Sequence, residues 1–306
     1  MTGARDWSEA IGPLCAFLSS LTWAIGSASY ARWSHQYTAF AVNFTRAVIA
    51  FILFSIAIFV TSGGWNAGLA EIARLRWSHV GWFGLSMISS YGIGDVLFLW
   101  STRSLGVPGA LAIASCYPIW TTLAGWVFLQ QGLSALSAVG LVVTVVGVIT
   151  VVLSSGAQVS QRGRVAIVKG LCLGLMTSLF WALNGYSISR GGVDLLAAVG
   201  SSVRMGLAIG MSGLLTLLLA RGERMAMAWK DVRPGLWVFA LEAFGGSYLF
   251  LVGLTRSSLA LGATLSSLAP VLSVPISVGM GLERLSWKKV AGVSLTVAGI
   301  AALLLG

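Results

Sequence analysis

The chain has 306 residues, 57% hydrophobic and only 9% charged, with a net charge of +10 and a mean hydropathy of +0.89. Soluble domains carry about 25% charged residues, so a water-soluble fold of this length is excluded. Lys and Arg fall mostly in the breaks between apolar runs, without an aromatic-interleaved basic block; this excludes a nucleic-acid surface and leaves a membrane-topology signal.

Runs of about 20 apolar residues predict ten transmembrane helices. The first, 11–31, carries SLTWA with Trp23. It ends in SASYAR, yet it is read as a helix rather than a cleavable leader because its residues recur later in the chain. The second, 39–61, opens with NFTRA, which includes Asn43 and Arg46; the third, 78–101, holds Tyr91 and Asp95. The fourth, 106–129, is interrupted by ASCYPIW, which contains Ser115, Tyr117 and Pro118. A proline inside an ordinary helix costs about 3 kcal/mol or more. The fifth span is 134–154, and the polar, basic stretch SGAQVSQRGRV at 155–165 reads as a linker. The sixth, 166–189, carries SLFWALN with Trp181 and Asn184, and the seventh, 195–220, carries SSVRM with Arg204. The eighth, 234–254, contains FALEAFGG with Glu242, followed by Tyr248. The ninth, 260–281, repeats the proline break as SSLAPVL, with Ser267 and Pro270 and a further Pro275 downstream, and the tenth is 287–305.

The halves match. Trp23 and Trp181, Arg46 and Arg204, and Gly12 and Gly170 all stand 158 residues apart, while Pro118 and Pro270, Gly140 and Gly292, and Gly147 and Gly299 stand 152 apart. The reading is therefore a first five-helix repeat over 1–154, a linker, and a second repeat over 166–306. An odd number of crossings per half starts the second half on the opposite face, so the repeats are inverted. In such folds the substrate site lies near the midplane between the halves, beside broken helices. The paired prolines Pro118 and Pro270 are then candidate hinges, one for each mouth.

This pattern resembles the drug/metabolite transporter superfamily in its EamA-type, two-repeat form. The likeness rests on the Trp of spans one and six, the Arg of spans two and seven, the prolines, and the endings QQGLSALSAVGLVVTVVG and LERLSWKKVAGVSLTVAG. It covers nearly the whole chain and is similar above all to the YddG-type exporters of aromatic and other amino acids. Gln130-Gln131 stand where the second half has Leu282-Glu283, so a paired acidic role at that loop is not expected. The resemblance implies an exporter with cytoplasmic termini. The excess of Lys and Arg on the face opposite the termini implies the reverse orientation.

Four ionisable residues lie well within spans: Arg46, Asp95, Arg204 and Glu242. Each costs about 2.5–3.5 kcal/mol there and must find a partner. Depth along the spans pairs Arg46 with Asp95 and leaves Glu242 without a basic mate. Glu242 then suits a proton-linked or cation-sensing role, or a structural hydrogen bond, and Gly245 and Gly246 would leave room beside it for water or a ligand. Arg46 and Arg204 recur in both halves, for which a shared structural role is the simplest reading. Trp33, Trp65, Trp77, Trp82 and Trp287 lie near span ends, as in an interfacial belt. Trp23, Tyr91, Tyr117, Trp181 and Tyr248 are mid-span and suit a cavity wall, with Asn43, Asn184, Ser115 and Ser267 as head-group partners.

Cys15, Cys116 and Cys172 sit in apolar spans without a CxxC, so no disulfide, metal site or cofactor is expected. The reading is an all-α polytopic protein of a bacterial inner membrane that exports amino acids or similar small metabolites by alternating access. Its partners are a small-molecule substrate and the lipid bilayer, without nucleic acid; a monomer is plausible. The alternatives are a broad drug or metabolite exporter, a channel, and an intramembrane enzyme. Against the enzyme, the chain lacks HExxH and GxSxG.

Overall fold

The computed structural model describes residues 7–30, 33, 36–154, 164–279 and 286–306, and among these every regular element is helical. Most of the expected linker, 155–163, and the Leu282-Glu283 pair lie outside the described residues. Among the described residues, ten helices are long and apolar enough to cross a membrane. They are α1 (Trp7–Tyr30), α2 (Ala39–Thr61), α3 (Trp77–Leu105), α4 (Ala110–Leu129) and α5 (Ala135–Ser154). The second set is α6 (Arg164–Gly191), α7 (Ala197–Leu219), α8 (Trp229–Thr255), α9 (Leu259–Ile276) and α10 (Trp287–Leu305). A short helix, Trp65–Ala73, connects α2 to α3.

Helices are the form these sequences must take in lipid, where no water is available to satisfy a free backbone group. The ends are closed by side chains: the Thr38, Ser258 and Ser286 hydroxyls accept the backbone N–H of Ala41, Leu261 and Lys289 at the starts of α2, α9 and α10. The protein is a multi-pass membrane protein built of two five-helix repeats, inverted by the parity of their crossings. The packing keeps that symmetry. The mates α2 and α7 pack on each other, as do α5 and α10; α1 lies against α8 and α9, and α6 lies against α3 and α4.

The α5–α10 crossing is the tightest seam. A Cβ built on Gly147 would lie 2.5 Å from the Thr296 nitrogen, and one on Gly299 would lie 2.4 Å from the Thr144 nitrogen. Only glycine permits this approach of two backbones. The Thr144 and Thr296 hydroxyls turn back to the Gly140 and Gly292 carbonyls, at 2.8 and 2.9 Å, and so bring no unsatisfied donor to the seam.

Four spans carry discontinuities, again in symmetric pairs. α3 contains a π-helical stretch at Ile88–Gly94 and α8 one at Phe239–Gly246. α4 is broken at Ser115-Cys116 and α9 at Ser267-Leu268. Pro118 and Pro270 are the second residues of the segments that restart the helices, Tyr117–Leu129 and Ala269–Gly279. A proline in a first turn sacrifices no hydrogen bond, so the penalty expected of a mid-helix proline does not arise.

Two local expectations are corrected. The break expected at 102–105 is helical, within an α-helix that runs Asp95–Ala114. Trp33, expected in the interfacial belt, is 5% exposed and stacks on Phe239 at 5.4 Å, because the chain beyond α1 folds over the start of the π stretch in α8. Trp65, Trp77 and Trp287 are exposed, Trp77 to 89%.

Candidate functional site

The polar residues of the membrane interior gather where α1, α2 and α3 of the first half meet α6 and α8 of the second. The geometry begins with the two π stretches. A π turn holds one residue more than an α turn, so the side chains beyond it emerge about 100° from where an unbroken helix would present them. Tyr91 and Glu242 both sit inside such a turn.

Arg46 is the hub, and it is buried. Its Nη1 lies 3.5 Å from Glu242 Oε1. Its Nε donates to Tyr91 Oη at 3.1 Å, and Nη2 donates to the same oxygen. The guanidinium carbon is 5.2 Å from the Tyr91 ring centre and 5.4 Å from that of Trp23, both within cation–π range. Trp23 itself is 43% exposed.

The expected Arg46–Asp95 ion pair is therefore not the one formed, and Glu242 does have a basic mate. Estimating depth from a uniform rise per residue fails because Glu242 lies in a π turn, which turns its side chain toward α2. Of the neighbouring glycines, Gly245 keeps space beside it but Gly246 does not. The Ser19 hydroxyl donates to the Gly246 carbonyl at 3.1 Å, and Thr22 fills the place where a Gly246 Cβ would stand. The glycine that makes room for Glu242 is Gly26 on α1, where a Cβ would come within 2.5 Å of Glu242 Cγ.

Asp95 lies just beyond the π turn of α3 and accepts a hydrogen bond from Trp181 Nε1 at 3.1 Å. A Cβ on Gly94 would strike Trp181 Cδ1 at 2.8 Å, so Gly94 sets this approach. Trp181 also meets Phe98 at 5.5 Å and the edge of Tyr117 at 6.5 Å. Asp95 remains within electrostatic reach of Arg46 and Tyr91, which joins the two groups into one cluster.

Several of the other expected site residues make contacts within the scaffold. The Tyr117 hydroxyl donates to the Ala263 carbonyl at 3.0 Å and ties α4 to α9 across the halves. Asn184 Oδ1 accepts the Ser86 hydroxyl at 2.6 Å. The Ser115 and Ser267 hydroxyls return to the Leu111 and Thr264 carbonyls of their own helices. Tyr248 packs against the apolar group around Phe54, and Asn43 is half-buried on α2. Gln131 serves a structural end: its Oε1 accepts the Leu259 N–H at 2.9 Å at the start of α9.

Arg204 is buried on α7 away from any ion pair among the described residues. The composition gave no reason to single out its neighbour Ser201, but the repeat did, since Ser201 stands 158 residues after Asn43. A cavity of about 550 Å³ lined by Gly132, Ser137, Ser258 and Leu303 lies at one end of the bundle, remote from the charges. Another of about 320 Å³ lies beside Arg103 and Lys169.

An uncharacterized transporter from Archaeoglobus fulgidus is 23% identical over 292 residues, which is 95% of this chain and 97% of that protein. A crystal structure of another protein superimposes with a TM-score of 0.75 at 20% identity, covering 99% of this chain and 97% of that one; at this identity the likeness concerns the fold. The pattern that describes EamA-like transporters matches twice, over residues 10–153 and 168–305. The chain belongs to the EamA-like transporter family, within the drug/metabolite transporter superfamily.

Proposed function

We propose that the protein exports amino acids, aromatic and other hydrophobic ones foremost, by alternating access across a bacterial inner membrane. The observation that carries this reading is the Arg46–Glu242–Tyr91 cluster with Asp95, set between the halves and lined by Trp23, Tyr91 and Trp181. An aromatic wall with a few convergent charges suits a molecule that has an apolar side chain and a charged head. The ammonium group of such a substrate competes with Arg46 for Glu242 and Asp95. Its arrival would loosen the pair that ties α2 to α8, and so couple binding to movement of one half against the other.

The discontinuities supply the moving parts. The breaks at Ser115-Cys116 and Ser267-Leu268 interrupt α4 and α9 without unsatisfied prolines, and Pro118 and Pro270 act as hinges at the two mouths. Counterflow into proteoliposomes with a panel of radiolabelled amino acids and sugars tests the reading. Saturable exchange of phenylalanine, tryptophan or leucine is the expected result. Exchange of sugars alone would overturn it, and competition by cationic dyes would favour a broad drug exporter. Flux that never saturates would indicate a channel.

A further inference from the structure

We infer that Arg204 and Ser201 on α7 form a seat for a carboxylate, the anionic end of the transported molecule. The inference rests on the reading of the chain as an amino-acid carrier, to which it adds the second half of head-group recognition.

The observation is a buried guanidinium with nothing to bind. Arg204 is 4% exposed, and its Nε and Nη1 have no hydrogen-bond partner among the described residues. Ser201, one helical turn earlier, is fully buried, and its hydroxyl is also without a partner. Residues three apart lie on one helix face, so two orphaned groups stand side by side. A buried cation in a membrane helix is expensive, and such residues mark ligand paths when no protein partner compensates them.

The repeat shows what stands at the matching positions. Arg204 is the mate of Arg46, at 158 residues. The positions 152 residues from Glu242 and Tyr91, which hold Arg46, are Ser90 and Ala243. Where one arginine is held by a carboxylate and a phenol, the positions that match them for the other bear a short hydroxyl and a methyl. The Ser90 hydroxyl is itself engaged, donating to the Ser86 carbonyl at 2.9 Å. α7 still packs on the π stretch of α3 that carries Ser90. The helix packing around Arg204 matches that around Arg46, but the matching positions carry no counter-charge.

The chemistry of the vacancy is specific. A guanidinium presents paired N–H donors that fit a carboxylate, and a neighbouring hydroxyl can donate to the same oxygens. α7, which bears the seat, packs on the π stretch of α3 that carries Tyr91, so the seat and the acidic cluster of Glu242 and Asp95 gather about that stretch. A molecule with an ammonium and a carboxylate meets both.

The test is thermal melting of the purified full-length protein with three probes that share a phenyl ring: L-phenylalanine, 3-phenylpropionate and phenethylamine. The parent protein is expected to be stabilised by the first two. Arg204→Gln should weaken the apparent affinity for 3-phenylpropionate by roughly 10- to 100-fold, the range for a hydrogen bond to a charged group. Ser201→Ala removes a single hydroxyl, is expected to fold whatever Arg204→Gln does, and should weaken the same probe by several-fold. Unchanged affinity in Ser201→Ala and in a folded Arg204→Gln overturns the inference. So does a parent that responds to phenethylamine as strongly as to 3-phenylpropionate, or to none of the three. A parent stabilised by 3-phenylpropionate but not by L-phenylalanine leaves the anion seat standing and removes the amino-acid reading.

Discussion

Arg46 and Arg204 occupy equivalent places in two copies of one fold, yet their surroundings differ in almost every polar respect. Arg46 is held by Glu242 and Tyr91 and stacked beside Trp23. Arg204 has two bare donors and a bare serine beside it. The backbones agree closely, down to the paired π stretches and paired breaks. A duplicated scaffold can therefore hold one compensated and one uncompensated charge at matching positions. On the proposed reading, such a pair would give a symmetric scaffold an asymmetric binding surface, suited to a substrate with two different ends.

The comparison can be broken first where the halves are equivalent. Gly147→Leu and Gly299→Leu each push a side chain into the partner backbone of the α5–α10 seam. Both are expected to abolish monodisperse protein in size-exclusion chromatography, because the overpacking exceeds the roughly 1–3 kcal/mol usual for a core insertion. If one is tolerated and its mate is not, the seam is not the symmetric core described above.

The next effect is expected to be one-sided. Glu242→Ala strands Arg46 and should lower stability by about 3–5 kcal/mol, read as a large fall in Tm. Arg204→Gln strands no partner, so its Tm should match or exceed the parent's. Asp95→Asn should cost only about 1 kcal/mol, since an amide oxygen still accepts from Trp181 Nε1. This ordering reverses the one that depth along the sequence suggests, in which Asp95 is the residue whose loss strands Arg46. An Asp95→Asn variant less stable than Glu242→Ala would restore that earlier view.

A third experiment writes the first site into the second. Ser90→Glu places a carboxylate at the mate of Glu242. It should pair with Arg204 and eliminate stabilisation by 3-phenylpropionate, with Tm within a few degrees of the parent. A retained response would show that the two arginines do not share a common geometry. The smallest change in stability is expected at the prolines: Pro118→Ala and Pro270→Ala should shift Tm by the equivalent of less than about 1 kcal/mol, because each sits in a first turn. Slower counterflow by both is expected; normal rates in both would remove their hinge role.

Much of this architecture was legible in the chain itself. Apolar runs of membrane length, their number, and the constant spacing of Trp, Arg, Pro and Gly determine ten helices in two related halves, because lipid allows no other form to such segments and because parity inverts the second half. The same spacing marked Arg46 and Arg204 as mates and located the broken helices. What the linear order could not convey was which side of α3 and α8 faces the interior. A π turn inserts a residue without any signature in composition, and by doing so it directs Glu242, not Asp95, to Arg46. Hydroxyl and amide side chains were equally ambiguous. Ser115, Ser267, Tyr117 and Asn184 have the chemistry of ligand-binding groups, but backbone carbonyls and a serine lie close enough to consume it. Ser201 and Arg204 have the same chemistry and nothing within reach. Whether a polar group is free depends on distances of about 3 Å between helices that are remote in sequence, and only the packed structure determines those distances.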